Sequence, residues 1–174
     1  MFNQAINWSQ GTAAPGGNAI CMRNALSGSD IRIDTEGSWF YKDTKMTRQD
    51  IVNLFYKHLE RDASGRYFIR IGSQRCAVDV DDTAYVVWAL RWAGADAPED
   101  FAMLSLSDGS AEKLDPGTLR VGKDHIPYCG VKDGPFEARF SRSAYHALAE
   151  RLHHDPANDR YFIALNNRKY PLWL

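Results

Sequence analysis

Cysteine is scarce in this chain, and its copies stand too far apart to act together. Cys21, Cys76 and Cys129 are the three in 174 residues. An odd, widely separated set matches neither a zinc cluster nor a redox pair, so three free thiols are expected, with Cys76 a small hydrophobe in a strand. An excess of either charge is missing as well. The 21 basic and 22 acidic residues leave a formal charge of −1, so no global field favours a nucleic-acid polymer or an anionic membrane, and any anion site must be local. Apolar runs are short and broken by charge, which excludes a spanning helix. The N-terminus lacks a basic stretch followed by an apolar one, so no secretory signal is read and a cytoplasmic location is the default expectation. Neither a Walker-type phosphate loop, nor G-x-G-x-x-G, nor H-E-x-x-H occurs. No cofactor is expected, and the expected role is non-catalytic.

What the chain does have is a repeat. The stretch from Met46 to Val80 returns from Phe140 to Leu174. A single ungapped offset of 94 lays Thr47 on Ser141, Arg48 on Arg142, Leu54 on Leu148, and Arg66-Tyr67-Phe68-Ile69 on Arg160-Tyr161-Phe162-Ile163. Two copies at so long a period indicate a duplicated unit rather than a solenoid. Each copy reads as a helix followed by a hairpin. Thr47 is placed to cap the first helix, whose apolar face is Ile51, Leu54, Phe55, His58 and Leu59; Ser141 caps the second, with Tyr145, Leu148, Ala149 and Leu152 facing inward. Asp62-Ala63-Ser64-Gly65 and Asp155-Pro156-Ala157-Asn158-Asp159 are read as helix stops. His153-His154 then fall at a helix end, where a cation suits the dipole. In the hairpins, Tyr67, Ile69 and Ile71 share one face, as do Tyr161, Ile163 and Leu165.

Strands are also read around Ile31-Ile33, Trp39-Phe40-Tyr41, Ala84 to Trp92, Phe101 to Leu106, Leu119-Arg120-Val121 and Ile126 to Val131. The pattern predicts an internally duplicated α+β fold, mostly antiparallel, each unit a sheet region plus one main helix and a hairpin. Residues 1–29 are expected to form a loose arm, 30–82 an N-terminal unit and 83–174 a C-terminal unit.

Asp30-Ile31-Arg32-Ile33, Gly37-Ser38-Trp39-Phe40-Tyr41, Thr47-Arg48 running into Ile51-Val52 and Leu54-Phe55, and Val78-Asp79-Val80-Asp81-Asp82 together resemble the bacterial domain-of-unknown-function family 1285. Leu119-Arg120-Val121, Pro127-Tyr128 and the Arg142 helix extend the resemblance more loosely towards Leu174. It implies a duplicated core, a C-terminal half with a pleckstrin-homology-like outline, a nucleotide-like ligand between the halves and a role in signal transduction. Where the family has a proline after the acidic pair, this chain has Thr83-Ala84.

Few residues suit chemistry. Asp79, Asp81 and Asp82 cluster near a strand end, where alternation puts Asp79 and Asp81 on one face; they would orient a ribose hydroxyl or hold a hard cation, or simply form salt bridges. Arg48 and Arg142 follow the two helix starts, where free backbone N–H groups already favour anions. Together they suit a phosphorylated ligand in a common cleft, although an ion pair of Arg48 with Asp81 or Asp82 is the competing structural reading. Trp39, Tyr41, Tyr85 and Tyr128 offer flat surfaces to a base if they are not core. His125 and Tyr128 flank Pro127 and can donate to a ligand or act as an acid. The anion sites at the two helix starts thus support a non-catalytic binding module for a small anionic ligand, and the resemblance implies that this ligand is nucleotide-like and that the module signals. The rivals are a metal-dependent hydrolase built on Asp79, Asp81 and Asp82, and a protein-interaction scaffold.

Overall fold

The computed structural model describes residues 30–93, 99–157 and 159–172. The expected arm, residues 1–29, and Cys21 within it lie outside those residues.

The first unit holds β1 (Ile31–Ile33), β2 (Trp39–Tyr41), β3 (Thr44–Lys45), helix α1 (Gln49–Lys57), β4 (Leu59–Arg61), β5 (Tyr67–Ile71) and β6 (Gln74–Val80). Its strands form one sheet in the order β3-β2-β1-β6-β5-β4. All pairings are antiparallel except β1 with β6, which run parallel with Arg32 opposite Asp79. A second sheet follows from β7 (Tyr85–Trp92), β8 (Ala102–Leu106), β9 (Ala111–Lys113), β10 (Arg120–Val121), β11 (Pro127–Val131) and β12 (Phe136–Phe140). It has the order β10-β11-β12-β7-β8-β9, again with one parallel pair, β12 with β7. Helix α2 (Arg142–Ala149) then leads into a three-stranded sheet of β13 (Leu152–Asp155), β14 (Arg160–Leu165) and β15 (Arg168–Pro171). The fold is the expected duplicated, largely antiparallel α+β architecture.

The repeat is physical. In the first hairpin Ile69 pairs with Cys76 and Ile71 with Gln74; in the second Ile163 pairs with Tyr170 and Leu165 with Arg168, an offset of 94 throughout. The helices and their following strands are related by 93 instead: Val52 N–H donates to Arg48 O as Tyr145 N–H does to Ser141 O, and Leu59 opposes Ile69 as Leu152 opposes Ile163. Asp62 and Asp155 both close an Asx turn, accepting from Ser64 N–H at 2.9 Å and from Ala157 N–H at 3.1 Å. The second copy therefore carries its extra residue between Ala157 and Arg160.

That slip corrects several expectations. Arg48, not Thr47, is the N-cap of α1, and it supplies no capping side chain. Ser141 does cap α2, its Oγ accepting from Ala144 N–H at 3.2 Å. Both helices end early, at Lys57 and Ala149, so the Asp62 and Asp155 stretches turn one strand into the next. His153 and His154 lie in β13, not at a helix end: His153 stacks on Phe162, and His154 Nε2 meets Asp159 at 2.9 Å. Cys129 is free and buried, but Cys76 is disulfide-bonded rather than a free thiol.

The buried face of α1 is Val52, Phe55 and Tyr56, with Leu54 36% exposed; that of α2 is Ala144 and Leu148, with Tyr145 39% exposed. Burying a large apolar side chain stabilises by about 1.5–3 kcal/mol, so these few residues fix each helix on the body. The core they join is continuous across both units. Tyr67 stacks on Phe136 with ring centroids 6.2 Å apart, and Gly37, at φ +78°, sits where an added Cβ would lie 3.0 Å from Ser107. Among the described residues no helix is long and apolar enough to cross a membrane.

Candidate functional site

A cross-strand row builds the site. Arg120 on β10 is directly opposite Tyr128 on β11, and Tyr128 is opposite Arg139 on β12. Residues directly opposed in a sheet project from the same face, so the two guanidinium groups flank the tyrosine. The Arg120 guanidinium lies over the Tyr128 ring at 4.3 Å and forks onto Glu137 at 2.6 and 3.0 Å. Gly122 closes against the same ring. A Cβ there would stand 2.6 Å from Tyr128 Cε2, so only glycine lets the backbone pass so near. Beyond it Asp124 and His125 both take φ +57°, which folds the loop back until Gly122 N–H donates to Ile126 O at 2.8 Å.

The segment joining the two units, just after β6, supplies the other wall. Asp82 Oδ2 accepts from Tyr128 O–H at 2.9 Å and from Arg139 at 3.3 Å, while Asp81 pairs with Arg32 at 2.7 Å. Thr83 is buried; its hydroxyl donates to Tyr85 O at 2.7 Å and accepts from Arg139 N–H at 3.2 Å, which pins the linker to β12. Between these walls is a hollow of about 380 Å³, lined by Thr35, Asp81, Asp82, Arg120, Gly122, Lys123, Asp124, Ile126, Tyr128 and Arg139. Its volume is within the roughly 300–1,000 Å³ usual for small-molecule sites. The lining carries three cations and three carboxylates. Arg120 and Arg139 are paired, but Lys123 makes no ion pair with any described residue.

Electrostatics hold the groups in defined states. Burial, and then the Asp82 carboxylate, push the Tyr128 phenol above its ordinary pKa, so it remains a hydrogen-bond donor at neutral pH. The Arg120 fork holds Glu137 below the ordinary glutamate range, and burial pushes the neighbouring Cys129 thiol up to about 12, which leaves it unreactive.

Of the residues singled out in the sequence, Asp81, Asp82 and Tyr128 line this hollow. Asp79 does not: β6 ends at Val80, the chain then bends, and it is Asp81 and Asp82 that share the site. His125 is next to lining residues without lining the hollow itself. Arg48 and Arg142 are not there either. Arg48 forks onto Asp50 of its own helix at 2.6 and 3.2 Å, a partner other than the Asp81 or Asp82 considered for it. Trp39 and Tyr85 are core, and the Tyr128 ring is already covered by Arg120. Sequence reasoning missed Arg120, Lys123 and Arg139. The available signal was the β10 to β12 meander, whose register sets Arg120 and Arg139 beside Tyr128, with Lys123 in the turn between β10 and β11. Among the described residues no group of three or more His, Cys, Asp and Glu side chains gathers to hold a metal ion.

Residues 24–83 match the N-terminal domain of the domain-of-unknown-function family DUF1285. Among curated proteins none matches. Two solved structures share the fold. A DUF1285 family protein from Silicibacter pomeroyi DSS-3 aligns with a TM-score of 0.70 at 22% identity, covering 83% of this chain and 80% of its own. A DUF1285 family protein from Shewanella baltica OS155 aligns with a TM-score of 0.58 at 18% identity, covering 70% of this chain and 91% of its own. Over residues 24–83 the chain is thus similar to the N-terminal domain of the DUF1285 family, and it shares its fold with two solved proteins of that family.

Proposed function

We propose that the protein is a non-catalytic binding module that takes a small anionic, nucleotide-like ligand into the hollow between its two units and signals the ligand's presence. One observation carries the reading: two arginines, a lysine with no ion pair among the described residues and a tyrosine held as a donor converge on a hollow of ligand size whose walls come from both units. Arginine and lysine together suit a phosphate, the one by planar forked hydrogen bonds and the other as a point charge. The carboxylates on the opposite wall suit hydroxyl groups, as on a ribose. A ligand so placed touches the linker that joins the units, which is where its presence would be felt by both.

The test is a thermal-shift screen with nucleotides. A ligand that binds the native state raises the melting temperature by mass action. Arg139→Ala and Lys123→Ala are expected to abolish that shift, whereas Arg48→Ala and Arg142→Ala, at the helix starts, retain it. No shift from a broad nucleotide panel would remove the reading.

A further inference from the structure

We infer that Asp82 is an internal competitor for the ligand: its carboxylate occupies the donors that an anionic ligand must use, and so makes the hollow selective for phosphate over carboxylate. The inference rests on the hollow being the binding site.

Asp82 Oδ2 alone accepts from both Tyr128 O–H, at 2.9 Å, and Arg139 Nη1, at 3.3 Å. These are the hydrogen-bonding partners an incoming anion would seek, and Asp82 presents to them what a ligand would present. The two ion pairs of the site differ in strength. Arg120 is forked onto Glu137 by two bonds of 2.6 and 3.0 Å, whereas Arg139 meets Asp82 through one long bond. Paired forks are stronger and more geometrically demanding than single contacts, so the Arg139 contact is the one that exchanges. Lys123 adds a cation within the same lining that Asp82 does not occupy.

Exchange need not disturb the fold. The linker backbone is anchored independently through Thr83, bonded to Tyr85 O and Arg139 N–H, so the Asp82 side chain can swing while its chain stays in place. A tethered carboxylate has a high effective concentration, which a free monocarboxylate, offering the same two oxygens, cannot overcome at ordinary concentrations. A phosphate monoester has three terminal oxygens and close to two charges at neutral pH. It can meet Arg139, Tyr128 and Lys123 together, and this third contact is what outbids Asp82.

The experiment is calorimetric titration of the full chain with adenosine monophosphate, inorganic phosphate and acetate, comparing wild type with Asp82→Asn, Asp82→Ala and Asp124→Asn. Removing one part-exposed competing pair should tighten phosphate and adenosine monophosphate binding by about fivefold in both Asp82 variants. Acetate binding should become measurable only in those variants. Asp124→Asn removes an equal charge from the same lining without touching Arg139 and should change affinity far less. Near-ultraviolet circular dichroism checks that each variant is folded, and two different Asp82 substitutions guard against the loss of one. Equal tightening by Asp124→Asn would reduce the effect to general charge, and unchanged or weaker phosphate binding in the folded Asp82 variants would overturn competition while leaving the site in place. Absence of binding to every form, wild type included, would overturn site and competitor together.

Discussion

The Tyr56 hydroxyl lies 2.8 Å from Ser107 Oγ and donates in addition to Ala84 O at 3.2 Å, so the helix of the first unit is bolted to the sheet of the second at a buried point. Ser107 Oγ also accepts from Val86 N–H at 3.1 Å. Tyr56→Phe removes the bolt but leaves Val86 satisfied, and should cost about 1 kcal/mol. Ser107→Ala strands the buried Val86 N–H and should cost more, roughly 1–3 kcal/mol. Denaturant unfolding of the two variants and their double checks this, and additive effects would mean that the two hydroxyls do not act as a pair.

Gly122→Ala is expected to damage the hollow from within. Its methyl group would meet Tyr128 Cε2 at 2.6 Å and Arg120 Nη1 at 3.2 Å. The ring must move, and with it the bond to Asp82. Overpacking of this kind costs about 1–3 kcal/mol. Ligand-dependent stabilisation should disappear as well, so unfolding is measured with and without adenosine monophosphate.

The corrected helix starts can be compared directly. Ser141→Ala removes a side-chain cap from α2 and should destabilise by roughly 0.5–2 kcal/mol. Thr47→Ala should do little, because the N-cap of α1 is Arg48 and no side chain caps it. Equal losses in chemical denaturation would restore Thr47 as a cap.

Asp62 supplies a pH test. The Ser64 hydroxyl, with backbone N–H groups of Arg66 and Ser64 and the charge of Arg66, holds its carboxyl at about 2, below the ordinary aspartate value. A depressed carboxylate contributes stability that is complete above its unfolded pKa, near 3.9, and is lost as pH falls through the folded value. The contribution should therefore fade between about pH 4 and pH 2. Carboxyl carbon shifts followed by NMR should titrate near 2, and Ser64→Ala should bring the midpoint up.

The duplication was legible in the sequence because strand pairing repeats side-chain parity: Ile69 and Ile163 are both buried and hold the same place in their hairpins. Helix boundaries were less legible. An ungapped offset of 94 hides a slip to 93 in the helices, and so misplaced both the first cap and the apolar face, leaving Leu54 exposed. The acidic pair and Tyr128 stood out by local pattern. Arg120, Lys123 and Arg139 did not, because ordinary charged residues in surface strands and their turns become a site only when a parallel pairing of β12 with β7 brings them against a linker some 40 to 60 residues away in sequence. Arg48 and Arg142 stood out because helix starts attract anions in principle; both lie outside this hollow, and Arg48 is paired with Asp50.

The hollow as ligand site is tested most directly by titrating the isotopically labelled chain with adenosine monophosphate and mapping backbone amide shifts by NMR. The largest saturable changes should fall on Asp82, Gly122, Lys123, Tyr128 and Arg139 and vanish in Arg139→Ala. Shifts gathered around Arg48 or Arg142 instead, or no saturable shifts with any nucleotide, would contradict the account.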